Sequence, residues 1–155
     1  MPQDPVEQAE IKARELGIET HHELMGNGEF RFRLKANDGS SYVRTVAAGR
    51  GSWQQSHFHE LIRETYIVQT GWAAFVEYRD TQAVWQILTP GEVRSTVPPV
   101  PHNVYLPAGA VIHTVKHGTG GSADWHPHGL LDQLTIHLTE ADILSRTNQD
   151  DNSPS

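Results

Sequence analysis

The pattern of apolar and polar positions begins with a short amphipathic stretch that carries the signals of one helix. Asp4 is a candidate N-cap, Pro5 stands at the first helical position, and Glu7 follows three residues after the cap. Gly17 supplies the end of the helix. We therefore predict that residues 1–27 form an N-terminal helical segment.

From residue 28 to residue 140 the pattern changes to short segments rich in Val, Ile, Thr and aromatic residues, with turn residues between them. This spacing is typical of an antiparallel sandwich or barrel, so we predict an all-β fold. The predicted strands are FRFRLKA (30–36), SYVRTVA (41–47), QSHFHE (55–60), ETYIVQT (64–70), WAAFVEYR (72–79), AVWQILT (83–89), VRSTV (93–97), HNVYL (102–106), AVIHTVKH (110–117) and LDQLTIHLT (131–139).

Two segments lack a regular pattern. GTGGSADWHPHG (118–129) is predicted to be a Gly-rich loop with one large aromatic side chain, long enough to lie over another part of the protein. Residues 141–155, which end in NQDDNSPS, are predicted to be a polar, disordered tail.

Composition limits the classes of partner. The chain has 12 Lys and Arg against 19 Asp and Glu, a formal net charge of −7, and no run of basic residues. Nucleic acids and anionic membranes are therefore poor partners, and a small-molecule substrate is expected. The first residues lack the apolar core of a signal peptide, and the sequence has no apolar run of membrane-spanning length, so we predict a cytoplasmic protein.

The sequence has no cysteine and ten histidines. The absence of cysteine excludes disulfides, thiolate zinc sites and cysteine nucleophiles. Any metal ion must therefore be bound by His, Asp or Glu, and His is the side chain most often used both as a ligand and as a proton carrier near neutral pH.

The stretch GSWQQSHFHELIRETYIVQTG (51–71) contains such ligands. His57 and His59 alternate with one residue between them and so share a strand face, as do Glu64 and Tyr66 on the next strand. If the two strands pair, two imidazoles and a carboxylate meet on one face. This mixed set suits Fe, Mn, Ni or Zn and does not choose among them.

The spacing of Gly51, His57, His59, Glu64 and Gly71 resembles the first signature of the cupin superfamily at all five fixed positions. The second cupin signature begins with Gly and ends near a fourth ligand, a His; Gly91 and His102 keep its spacing, although Val97, Pro99 and Leu106 depart from its other positions. A rival interpretation takes PAGAVIH (107–113) as this signature, with His113 as the ligand. It is one residue too long, so we favour His102.

The resemblance, which covers about residues 28–140, implies a small antiparallel double-stranded β-helix, the cupin or jelly-roll barrel. It implies one divalent transition metal ion inside the barrel, held by His57, His59, Glu64 and His102. It indicates no residues that bind an organic cofactor. Small cupins commonly pair through their sheets, so the resemblance also implies a homodimer, with FRFRLKA and SYVRTVA at the interface.

Further side chains are candidates for catalysis. We predict that His113 is a general acid/base, because its strand could run back beside the strand of His102, and that Tyr66 is an orienting hydroxyl. His117 is a weaker candidate. His126 and His128 lie on the Gly-rich loop, and His137 either lines the cavity or faces solvent.

Three functions remain open at this stage. The first is redox-neutral isomerase, epimerase or lyase chemistry on a small oxygenated metabolite such as a sugar or keto acid, since a metal with open positions polarises oxygen atoms. The second is an Fe(II) dioxygenase, and the third is a non-catalytic module that binds a small molecule or carbohydrate. Cupins include all three classes, so the fold does not decide.

Overall fold

The structure is a computed structural model that describes residues 4–150. Three helices and twelve strands are described. They are α1 (Pro5–Glu15), β1 (Ile18–Leu24), β2 (Phe30–Ala36), β3 (Ser41–Val46), β4 (Ser52–Trp53), β5 (His57–Phe58), β6 (Arg63–Thr70), β7 (Ala73–Arg79), β8 (Gln82–Leu88), β9 (Val93–Ser95), β10 (His102–Leu106), β11 (Val111–His117), β12 (His126–Pro127), α2 (Gly129–Thr135) and α3 (Glu140–Asp150), with a 3-10 turn at Gly121–Asp124. Within residues 4–150, no helix combines the length and the apolar character that crossing a membrane requires.

The strands form two antiparallel sheets. The first sheet has the order β1-β2-β3-β11-β6-β9, and the second has the order β12-β5-β10-β7-β8, with β4 paired to β10. The side chains between the sheets form one core, which includes Tyr66, Val68, Phe75, Val104 and Ile112. The predicted antiparallel barrel strands from residue 30 to residue 117 therefore correspond to observed strands, with ends that shift by a few residues.

Glycines of the first signature lie where the chain turns. Gly51 and Gly71 have φ angles of 72° and 76°, which L side chains adopt only with strain. A Cβ atom at Gly51 would lie 2.6 Å from the hydroxyl of Tyr105, so the position is also too crowded for any other residue.

The N-terminal segment differs from the prediction in its second half. Helix α1 is where we predicted it, but Ile18–Leu24 form strand β1, which pairs along its full length with β2. The strand was missed because most of its side chains are polar and exposed, so it lacks the apolar alternation that identifies a half-buried strand.

The predicted strand LDQLTIHLT (131–139) is wrong, because its first part is helix α2. A strand would bury Leu134 and Ile136, yet these are 38% and 55% exposed. Leu131, Thr135 and Leu138 are buried instead, at the spacing of three and four residues that a helix requires.

The predicted tail 141–155 is also wrong over residues 141–150, which belong to helix α3. Thr139 and Asp142 cap the start of this helix through reciprocal hydrogen bonds between side chain and backbone. Ile143 is completely buried in a second apolar cluster, which lies on the outer face of the second sheet and includes Leu131 and Leu138. Residues 151–155 lie outside the described residues.

Candidate metal centre

The four predicted metal ligands meet in the space between the two sheets. His57 lies on β5, and its partner across the ladder is His102 on β10. His59 follows β5, and Glu64 projects from β6 in the opposite sheet. All four residues are buried, and their ligand atoms lie within 4.8 Å of one another.

Backbone carbonyl groups fix the orientation of all three imidazoles. Nδ1 of His57 lies 2.9 Å from the carbonyl oxygen of Gln55, and Nδ1 of His102 lies 3.3 Å from that of Val100. Nδ1 of His59 contacts the carbonyl oxygen of Asp124. Because a carbonyl only accepts hydrogen bonds, these contacts favour the proton on Nδ1 of each ring, and a neutral ring then presents the lone pair of Nε2.

The three Nε2 atoms converge on the carboxylate of Glu64. They lie 3.5 Å (His57), 3.1 Å (His59) and 2.8 Å (His102) from its oxygens. Nε2 of His57 and Nε2 of His59 are buried and make no hydrogen bond to any described residue. Buried polar atoms without partners are costly, and here they are two imidazole nitrogens whose lone pairs lie beside a carboxylate. A divalent transition metal ion fits this donor set.

The electrostatics of the cluster favour the ligand forms of Glu64 and His57, whereas at His59 burial acts to lower the pKa and the adjacent Glu64 gives a net rise. Burial acts to raise the pKa of the Glu64 carboxyl, but the close approach of His102, His57 and His59 and the charge of Lys116 hold that pKa well below its usual range. Burial lowers the pKa of His57, which keeps its ring neutral more readily. An ionised carboxylate and a neutral imidazole are the forms that bind metals.

Tyr66 lies at the cluster, on the same face of β6 as Glu64. Its hydroxyl donates a hydrogen bond of 2.5 Å to Oε2 of Glu64, and the residue is buried. Burial and the adjacent charge of Glu64 raise the pKa of the Tyr66 phenol well above its usual value, so the hydroxyl keeps its proton. The structure thus brings this predicted site residue to Glu64.

His113 does not reach the cluster. Its partners across the ladders are Arg44 and Ile67, which lie on the outer face of the first sheet, whereas Ile112 and Thr114 point inward. The ring of His113 hydrogen-bonds to the hydroxyl of Tyr42 and to the side chain of Gln69. This placement does not support the predicted acid/base role of His113, and it brings His102 rather than His113 to the other ligands.

The remaining candidate histidines also lie away from the four ligand atoms. His117 shares the outer face of His113, and His137 is exposed beyond the end of α2. His128 caps α2 by accepting a hydrogen bond from the backbone N–H of Leu131. His126 stacks on Phe58 and lies on β12.

Lys116 is a site residue that the sequence reasoning missed. Its Nζ lies 3.1 Å from Oε1 of Glu64, and the two residues are partners across the β11–β6 ladder. The available signal was the alternation of Ile112, Thr114 and Lys116 along one strand face. Its interpretation required the register between β11 and β6.

Two cavities lead to the cluster. One, of about 950 Å³, is lined by His59, Lys116 and Arg33, and the other, of about 640 Å³, by His57 and Arg31. Trp125 lines both cavities, and its ring stacks on His57 with 5.4 Å between centroids and 24° between planes. The predicted Gly-rich loop therefore does lie over the ligand cluster.

Comparison with known proteins identifies the fold. No family model matches the sequence, and no curated protein matches it. Among solved structures, an oxalate decarboxylase from Bacillus subtilis at pH 4.6 is similar, with a TM-score of 0.59 and 16% identity over 87% of this chain. An oxalate decarboxylase from Lactobacillus farciminis in complex with formate has a TM-score of 0.57 and 16% identity over 84% of this chain.

The aligned region spans 37% and 39% of those two proteins, so this chain matches less than half of their length. At this level of identity the likeness is one of fold. The fold predicted from the two signatures, a small all-β cupin barrel, is confirmed.

Proposed function

We propose that the chain is a metal-dependent enzyme with lyase-type activity on a small organic acid, and that His57, His59, Glu64 and His102 hold its divalent ion. The observation that carries the proposal is the buried ligand cluster with a cation, Lys116, in contact with its carboxylate. A bound ion would supply a Lewis acid toward carboxylate or carbonyl oxygens of the substrate.

Positive charge on the wall of the cavity supports an acid rather than a neutral sugar. In the ladders, Lys116 is opposite Ser41, and Ser41 is opposite Lys35. Arg33 and Arg31 lie on the same inward face of β2 as Lys35, since alternate residues share a face. A protein with a net charge of −7 thus places four cationic residues on the wall that faces its ligand cluster.

Lys116 is positioned to bind the substrate. Arg31 is engaged with the buried carboxylate of Glu29, and Arg33 with Glu23. Lys116 contacts only the proposed ligand Glu64 among the ion pairs of the described residues, so its ammonium can also donate to a carboxylate bound beside Glu64. Tyr66 holds the orientation of Glu64 through its hydroxyl, and Trp125 lines both cavities beside the ligands.

The similar solved structures favour lyase chemistry among the redox-neutral reactions. They are named as decarboxylases of oxalate, a small organic acid, and one of them is described with Mn(II) centres. We therefore give Mn(II) priority as the ion and short dicarboxylic and keto acids priority as substrates. The location in the cytoplasm stays a prediction.

The function is tested with protein purified without a histidine tag. We expect elemental analysis to find about one divalent transition metal ion per chain, and we expect release of CO2 from oxalate or another short acid without net consumption of O2. Turnover that requires iron and consumes O2 would establish the dioxygenase instead. Tight binding of acids without any turnover would establish a non-catalytic binding protein.

We also propose a homodimer through the outer face of the first sheet. This face exposes Leu24, Phe30, Leu34 and Val115, and β2 and β3 form part of it, as predicted for the interface. A contiguous apolar surface on a sheet is typical of an interface between subunits. The face of one copy is self-complementary in chemistry, since its apolar side chains can cover those of a second copy.

Light scattering at micromolar concentration is expected to report twice the chain mass of 17.3 kDa. Phe30→Asp combined with Leu34→Asp is expected to produce the monomer, whereas Leu144→Asp, at an exposed apolar position on α3, is the matched control and should leave the dimer intact. A wild-type species of one chain mass would contradict the proposal.

A further inference from the structure

The Gly-rich loop that precedes β12 contacts two of the four proposed ligands directly. The carbonyl oxygen of Asp124 accepts a hydrogen bond from Nδ1 of His59, and the ring of Trp125 stacks on the ring of His57. The next residue, His126, pairs in the ladder with Phe58, which lies between the two ligands. One loop therefore touches the whole His57–His59 segment.

The carboxylate of Asp124 anchors the chain that follows His59. Oδ1 accepts the backbone N–H of Glu60 at 2.8 Å, and Oδ2 accepts those of Leu61 and Ile62 at 2.9 Å and 2.8 Å. Desolvation acts to raise the pKa of Asp124, but these three hydrogen bonds and His126 lower it to about 2. Asp124 thus holds the segment that joins His59 to Glu64 while its own carbonyl holds the ring of His59.

The local sequence permits this arrangement only with glycine at position 120. Gly120 has a φ angle of 134°, which favours glycine strongly. A Cβ atom at that position would lie 2.9 Å from Cβ of Asp124, too close for an undisturbed contact. Any side chain at position 120 would therefore displace Asp124 from the segment that it anchors.

We propose that Asp124 is a positioning residue of the metal centre, and that binding of the ion is coupled to closure of residues 118–125 over it. This inference rests on the metal site of the proposed function. The hydrogen-bond partner of a ligating imidazole sets its tautomer and direction, and loss of such a partner typically weakens metal binding by about 10- to 100-fold. Coupling is reciprocal, so the ion must stabilise the closed loop by the same factor.

Asp124→Asn tests the coupling from the side of the loop. The amide has nearly the same size, but its NH2 group cannot accept the N–H bonds of one carboxylate oxygen. We expect the affinity for Co(II), measured by competition titration with the visible absorbance of the bound ion, to fall by about 10- to 100-fold. The absorbance spectrum of bound Co(II) should change as well, because a loop without its side-chain anchor no longer holds the carbonyl of residue 124 in place against the ring of His59.

Asp142→Asn is the matched control. Asp142 also accepts a backbone N–H, that of Thr139, but it lies at the start of α3 and contacts none of the four ligands. We expect this variant to lose some stability and to keep the affinity and spectrum of the wild type. An effect on stability alone therefore cannot produce the result expected for Asp124→Asn.

Hydrogen exchange tests the coupling from the side of the ion. Addition of Co(II) to the wild type should slow exchange of the amides of residues 118–125. The slowing should be smaller in Gly120→Ala, a second variant in which the added Cβ displaces Asp124 but leaves its carboxylate intact. Two results would overturn the coupling and leave the proposed function intact. They are a wild-type affinity for Co(II) in Asp124→Asn, and hydrogen exchange of the wild-type loop that does not change when Co(II) is added. A wild type that binds no metal ion would overturn both.

Discussion

His102→Ala is expected to lower the affinity for a divalent transition metal ion by at least about 100-fold, since loss of a direct ligand should cost no less than loss of its hydrogen-bond partner. Nε2 of His102 lies 2.8 Å from Oε2 of Glu64, and the substitution removes one of three imidazoles from a buried set. No other histidine can replace the lost imidazole. Within the described part of the chain, the five histidines from residue 113 to residue 137 do not bring a ring nitrogen to the remaining ligands.

Isothermal titration of the metal-free protein with Mn(II) or Zn(II) measures the change. The matched control is His113→Ala, which removes the same side chain from the outer face of the neighbouring sheet and should keep the affinity of the wild type. Thermal unfolding gives a second readout: an ion at 100 times its Kd stabilises the folded protein by about 2.7 kcal/mol, and this gain should vanish in His102→Ala. Full metal occupancy in His102→Ala, together with loss of metal binding in His113→Ala, would show that His102 is not the fourth ligand.

Lys116→Gln is expected to lower kcat/KM for the organic acid by about 100-fold, or about 2.7 kcal/mol of transition-state stabilisation, at unchanged metal content. The ammonium lies against the carboxylate of a proposed ligand in a partly buried position, where loss of a charged hydrogen-bond donor costs about 2–5 kcal/mol. Glutamine keeps a polar hydrogen-bond donor, on a side chain that is one bond shorter, but removes the charge.

Lys35→Gln is the control for this substitution. Lys35 lines the same cavity two strands away and is exposed, so its charge is screened by solvent. We expect a change of less than about threefold for Lys35→Gln, consistent with the small energies of exposed ion pairs. Equal losses in both variants would indicate a general effect of cavity charge, and no loss in Lys116→Gln would remove Lys116 from the substrate site.

The first signature could be interpreted correctly from the sequence because its information is local. His57 and His59 are separated by one residue, and Glu64 by a single tight turn, so their common direction follows from strand geometry. The glycines at each end need positive φ angles, which a sequence can specify by residue type alone. The match of His102 depended on the spacing of a second pattern rather than on any property of its neighbours.

The side of β11 that faces the ligands could not be derived in this way. Which residues of β11 point inward is set by its pairing with β6, about 45 residues earlier in the chain. The register of that ladder also shifts between Val111 and Ile112. A slip of one residue exchanges the two faces, which is the difference between His113 and Lys116 at the cavity. Long-range register therefore decided which cationic or titratable side chain reaches the site.

The end of the chain was misread for a related reason. Residues 129–135 and 140–150 are helical because this end of the chain, with Leu131, Leu138 and Ile143, packs on the outer face of the second sheet, a surface that exists only after the sheet has formed. Read alone, LDQLTIHLT fits both a strand pattern and a helix pattern, and a short apolar segment of this kind cannot be assigned by periodicity. The cap formed by Thr139 and Asp142 was the local signal of α3.

The ladder that places His102 opposite His57 has a consequence for the order of folding. These two residues are 45 positions apart (102 − 57), so the chain must close a large loop before both imidazoles face one point. Contacts of such sequence separation make barrels of this kind slow to fold, and they leave the denatured chain without a preformed coordination site. An ion would therefore bind after the sheets have paired, so that it prolongs the lifetime of the native protein without hastening its formation.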